Sequence, residues 1–119
     1  MRIILALIMT VFLNLGMVSG DEECNPHVIV PSSLTPNGDG KNDCFYIEFK
    51  QQPSNTRLKI FDRWGTRMFE TVKINECWEG KLKERKLPEG VYYWIISFRF
   101  TEDGEEFTCN GNFRLSWTN

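Results

Sequence analysis

Asn37-Gly38-Asp39-Gly40-Lys41-Asn42-Asp43 puts two glycines and several side-chain oxygens into one bend. Three kinds of chemistry suit that composition. Asn37, Asp39 and Asp43 offer oxygens at alternate positions, with Gly38 and Gly40 permitting the tight winding of a calcium loop. The distal bidentate glutamate of an EF-hand is missing. A phosphate cradle needs a lysine after its last glycine and then a helix, whereas Gly40-Lys41 leads into a β-type run. The third reading is a turn, because Asn, Asp and Gly are the usual residues of positive φ and their side chains bond nearby amides. The turn is the stronger reading; calcium at Asn37, Asp39 and Asp43 remains the candidate cofactor beside it.

The other reactive side chains point away from catalysis. His27 is the single histidine, and no serine lies in a nucleophile-elbow context. The acidic pairs Glu22-Glu23 and Glu105-Glu106 fall in a tail and a turn, where charge is ordinarily solvated. Cys24, Cys44, Cys77 and Cys109 are an even count in a short chain and read as two disulfides. Zinc sites favour close ligand pairs such as C-x-x-C, and the nearest cysteines, Cys24 and Cys44, are 20 residues apart. The expectation is a non-enzymatic protein.

The segments that must position these residues begin with a leader. Arg2 precedes the apolar stretch "IILALIMTVFLNLGMV", and Val18-Ser19-Gly20 supplies small residues just before "DEE". Residues 1–20 read as a cleaved signal peptide rather than a membrane span, which takes about 20 apolar residues. No transmembrane segment is expected after cleavage. Residues 21–119 then form one small domain, for which disulfides are a useful supplement to a limited core. The formal net charge of −2 lacks the clustered basic excess of a nucleic-acid binder, and the run "KLKERK", residues 81–86, reads as a solvated loop.

Strand patterns fill the rest. "HVIVP" is a short strand ending at Pro31; in "CFYIEF", Phe45, Ile47 and Phe49 share one face. Residues 57–72 read as a hairpin turning at Trp64-Gly65. "VYYWIISFRF" is apolar on both parities through Ile96, the pattern of a central strand covered on both faces. In "EEFTCNGNFRLSW", Phe107, Cys109, Phe113, Leu115 and Trp117 fall on one face. With turn signals between them, these segments predict an all-β fold, a small antiparallel sandwich of about seven strands. Trp64 and Trp78, each close to a glycine, read as buried rings. Arg63 reads as stacking on an aromatic face and pairing with an acid, with partner recognition the alternative. Tyr92, Tyr93 and Trp94 read as core in preference to a sugar-binding platform.

Four stretches in order, "LTPNGDGKNDCFYI", "LKIFDRWGTRMFE", "CWEGK" and "LPEGVYYWIISF", resemble the gliding-motility-associated C-terminal domain, the type B sorting domain of the type IX secretion system. The family pattern has a Thr-Pro-Asn-Gly-Asp-Gly loop, a Phe-Asn-Arg-Trp-Gly hairpin, a Trp-Asp-Gly corner and a Leu-Pro-x-Gly-Val-Tyr-Tyr strand. Here Asp62 replaces the asparagine and Glu79 the aspartate. The resemblance implies an immunoglobulin-like β-sandwich exported through the periplasm of a Gram-negative bacterium to the cell surface or medium. It also implies the outer-membrane secretion machinery as partner. The motif residues it marks are Asn37, Gly38, Asp39, Gly40, Asp43, Arg63, Trp64, Gly65 and Trp78. The expected role is outer-membrane translocation or surface attachment, here without attached cargo. The alternative is a stand-alone extracellular binding or adhesion module for a carbohydrate or protein ligand. In a sandwich of this kind the first and last strands can run side by side, which pairs Cys24 with Cys109 and leaves Cys44 with Cys77.

Overall fold

The apolar run after Gly90 becomes the longest strand of a computed structural model that describes residues 26–118. In chain order the strands are β1 (Val28–Ile29), β2 (Ser33–Leu34), β3 (Glu48–Phe49), β4 (Asn55–Phe61) and β5 (Arg67–Thr71). They continue with β6 (Lys81–Leu82), β7 (Arg85–Lys86), β8 (Gly90–Arg99) and β9 (Phe107–Leu115). The fold is all-β, as expected. Among the described residues no helix is long and apolar enough to cross a membrane. The signal peptide read at residues 1–20 lies outside the described residues.

A five-stranded sheet in the order β2-β9-β8-β4-β5 forms the main layer, and the antiparallel pair β1-β3 contributes to the layer facing it. The hairpin read at residues 57–72 is present as β4 and β5, with a bulge between Ile60 and Phe61. One pairing departs from a wholly antiparallel sandwich: β2 runs parallel to β9, with Ser33 opposite Arg114 and Leu34 opposite Leu115. Pro31 lies between β1 and β2 and has no N–H to give to a ladder. At that point the chain leaves β3 and joins the other sheet.

The strand β8 corrects a second expectation. Tyr92, Trp94, Ile96 and Phe98 are buried, but Val91, Tyr93 and Ile95 are 39%, 43% and 37% exposed. Lateral pairing to β4 and β9 makes β8 central in its sheet, yet among the described residues only one face of that sheet is covered. Apolar residues on both parities therefore reported a packed face and a bare one. On the packed face Phe45 stacks on Phe113 at 4.1 Å, while Trp78 meets Tyr92 edge-on at 5.6 Å. Leu34, Ile60 and Leu115 complete the centre at 0% exposure.

Cys44 and Cys77 are joined, their Cα atoms 5.5 Å apart. Cys109 lies on the packed face of β9, 1% exposed; its expected partner, Cys24, lies outside the described residues. The run at 81–86 is exposed but is no plain loop. β6 and β7 pair there as a small hairpin, with Lys83 and Glu84 at φ 52° and 69°, the left-handed pair that suits a two-residue turn.

Candidate functional site

The Asn-Gly-Asp loop is wound around one carboxylate. Asp43 Oδ1 accepts the N–H groups of Asn37 at 3.1 Å and Gly38 at 3.0 Å, and its Oδ2 accepts that of Gly40 at 2.8 Å. Asp39 Oδ1 accepts from the Lys41 amide at 2.8 Å, and Asn37 Oδ1 from the Asp39 amide at 3.2 Å. Each is the local bond that Asx side chains form with amides just ahead. Among the described residues, no group of three or more His, Cys, Asp or Glu side chains is placed to hold a metal ion. The disulfide follows at Cys44, and the Phe45–Trp78 bridge ties the loop's exit to the core.

The second motif closes the β4–β5 hairpin and displays its tryptophan. Asp62 Oδ1 accepts the N–H groups of Trp64 and Thr66, both at 2.9 Å. The Asp62 N–H donates to the Thr66 carbonyl and the Gly65 N–H to the Asp62 carbonyl, both at 3.0 Å. A side-chain oxygen is what this turn requires, and either asparagine or aspartate supplies one. Gly65 has φ +84° with open space around it, so the conformation rather than crowding demands glycine.

Trp64 emerges from this turn 79% exposed, which overturns the expectation of a buried ring. The physical reason is the turn itself: residue 64 sits at the tip, past the last β4 pairing, and among the described residues no second layer covers its ring. Arg63 does stack, its guanidinium carbon 5.3 Å from the Trp64 ring centroid. Trp78 is the buried one, 3% exposed, with its Nε1–H donating to the Lys81 carbonyl at 2.9 Å. The other aromatic trio is divided: Tyr92 and Trp94 are core, whereas Tyr93 faces out.

The marked residues therefore do not converge on one pocket. Gly40 and Asp43 line a depression with Ile29, Pro31 and Tyr46. Arg63 and Gly65 border another, about 330 Å³, with Phe61, Tyr93, Ile95 and Asn110. Trp78 belongs to the interior. The sequence reading missed the outward residues of β8 and their neighbours; its available signal was the apolar residue at every second position of a strand whose other parity already filled the core.

These neighbours are basic. Directly opposed residues share a face, and the registers place Arg57, Lys59, Arg99 and Arg114 on the same face as Tyr93. Glu70, opposite Lys59, takes a hydrogen bond from Arg57 and an ion pair from Arg67 at 2.8 Å. The Arg57 bond chiefly lowers the Glu70 pKa; desolvation opposes it, and the charges of Arg67, Arg57 and Lys59 reinforce it. Exposed Trp and Tyr among arginines are residue types enriched in protein interfaces.

Comparison with curated proteins returns no match to this chain. Compared with known families, residues 28–113 match the CHU_C type IX secretion signal domain, a span that takes in the amide-wrapped loop, the Trp64 tip, the Trp78 corner and nearly all of β9. With well over half of its length matched, the chain belongs to the type IX secretion signal domain family.

Proposed function

We propose that this domain is a non-enzymatic export signal, read in its folded form by the outer-membrane machinery of the type IX system. The route runs from the periplasm of a Gram-negative bacterium to the cell surface or medium. The observation that carries the reading is Trp64: a large ring 79% exposed, under Arg63, on a turn braced by Asp62. Leaving such a ring in water forgoes the burial that usually stabilises a small domain, and contact residues of this type dominate recognition surfaces. The immunoglobulin-like reading is supported by Tyr92, whose hydroxyl donates to the Pro88 carbonyl at 2.7 Å, a corner of the kind such sandwiches use.

Fractionating cells with and without the secretion system tests the proposal. The protein should be found outside the outer membrane only when the system is present. A second reading, an adhesion module, draws on the exposure of Tyr93 and Trp64 together. Glycan binding by the purified domain, with the protein still found outside cells that lack the system, would favour it.

A further inference from the structure

The bare face of the central sheet combines features that a solvated face does not need. Val91, Tyr93 and Ile95 run along its middle with a third or more of each surface open to water. In a sheet with one packed face, the outer positions are ordinarily polar. Around the stripe stand Arg57, Lys59, Arg67, Arg99 and Arg114, and Glu70 is the one carboxylate at the strand positions of this face. Glu70 is already engaged by two of the arginines. The whole chain carries a net charge of −2, so the cations are segregated rather than abundant.

We infer that this face is a docking surface for a protein partner whose complementary patch is acidic around an apolar centre; the inference rests on the export reading and names the chemistry of its partner. Arginine forks pair with carboxylates in fixed geometry, and four of the five cations are arginines. The stripe supplies the desolvated middle and the cations a charged rim, the usual division of labour in an interface. Arg63 and Gly65, on either side of Trp64, line the depression that holds Tyr93 and Ile95. Trp64 itself lines a neighbouring one with Val91, so the motif and the stripe adjoin through Asp62 and Arg63, which line both. A second copy is a poor occupant, because a symmetric pairing through this face would oppose like charges.

The test places a photo-crosslinking residue in the full chain at Tyr93, or at Tyr46 on the opposite side, in cells that carry the secretion machinery. Position 93 should give a discrete protein adduct at least tenfold stronger than position 46. The Lys59→Glu, Arg114→Glu variant, matched to the parent in thermal unfolding, should lose that adduct and export at least tenfold less. Equal adducts from both positions, or an unchanged adduct after charge reversal, would overturn the inference. So would binding of the purified domain to phosphatidylglycerol vesicles that charge reversal abolishes, which reassigns the face to a lipid surface, or a dimer in sedimentation that the same variant disperses. A parent chain crosslinked at position 93 but never exported leaves the docking face intact and defeats the export reading. Export that charge reversal and Tyr93→Thr, Ile95→Thr leave untouched defeats the docking face alone.

Discussion

Phe45 and Trp78 exchange two backbone hydrogen bonds, 2.7 Å from the Phe45 N–H and 2.9 Å from the Trp78 N–H, one residue from the disulfide between Cys44 and Cys77. Both rings pack against Phe113. The exit of the amide-wrapped loop is thus fixed to the last strand by a covalent bond, two hydrogen bonds and two aromatic contacts. That cross-link spans 33 residues, and the chain-entropy relation gives about 3–4 kcal/mol for a loop of that length. A Cys44→Ala, Cys77→Ala variant should lose stability of that order in denaturant unfolding. A loss under about 1 kcal/mol would mean the cross-link restricts the unfolded chain far less than its loop length implies.

Gly111 lies opposite Trp94 in the β8–β9 ladder, and a Cβ built there would come within 2.6 Å of Trp94 Cζ2. Gly111→Ala should therefore cost about 1–3 kcal/mol through overpacking. Trp94 Nε1 is buried with no hydrogen-bond partner among the described residues, so Trp94→Phe removes an unsatisfied donor as well as volume. In the Gly111→Ala background it should recover part of the loss. Additive losses in the double-mutant cycle would contradict this contact.

The Tyr92 pKa is raised, first by desolvation and then by the charge of Asp62. A raised folded value favours the neutral phenol, so the contribution is present below the unfolded pKa of about 10 and is lost as pH rises through the folded value. Ionisation also removes the proton donated to Pro88. Thermal unfolding should be insensitive to Tyr92→Phe in its pH slope at neutrality, while above about pH 10 the variant should lose less stability than the parent. Parallel curves through the alkaline range would remove Tyr92 from this role.

Both oxygens of Asp43 already receive backbone amides. An ion at Asn37, Asp39 and Asp43 would have to share or displace those donors, and a ligand that binds the native state raises its melting temperature by mass action. Millimolar calcium should leave the melting temperature unchanged. A rise that the Asp39→Ala, Asp43→Ala variant lacks would establish a calcium loop instead.

The parity of the residues made much of this fold legible. Phe45 and Ile47 turned inward together, as did Cys109, Phe113 and Leu115, because period-two alternation reports directly which side of a strand is covered. The hairpin was legible from its Trp-Gly turn. Two errors share a physical origin, the assumption that large apolar side chains are buried. Exposure of Trp64 depends on where Asp62 closes the turn, and exposure of Tyr93 on the described residues placing no second layer on that side of the sheet; neither is local information. The parallel β2–β9 pairing was likewise hidden, since it depends on a sheet change at Pro31 that alternation does not encode. The turn at residues 37–43 was legible from its Asn, Asp and Gly, but which amides its carboxylates accept depends on how the loop winds.

The central claim is that the folded domain is an export signal displayed through the Trp64 tip. Its most direct measurement places residues 21–119 behind a periplasmic reporter with its own signal peptide and quantifies reporter outside the outer membrane in cells with the secretion system. The intact domain should carry most of the reporter out, and Trp64→Ala, whose ring is mostly in solvent, should cut that fraction severalfold while changing stability by no more than about 0.5 kcal/mol. Deleting residues 107–119 should abolish export together with folding, since Phe113 and Leu115 lie at the core. A reporter that stays periplasmic behind the intact, folded domain, or that Trp64→Ala exports as well as the parent, would contradict the account.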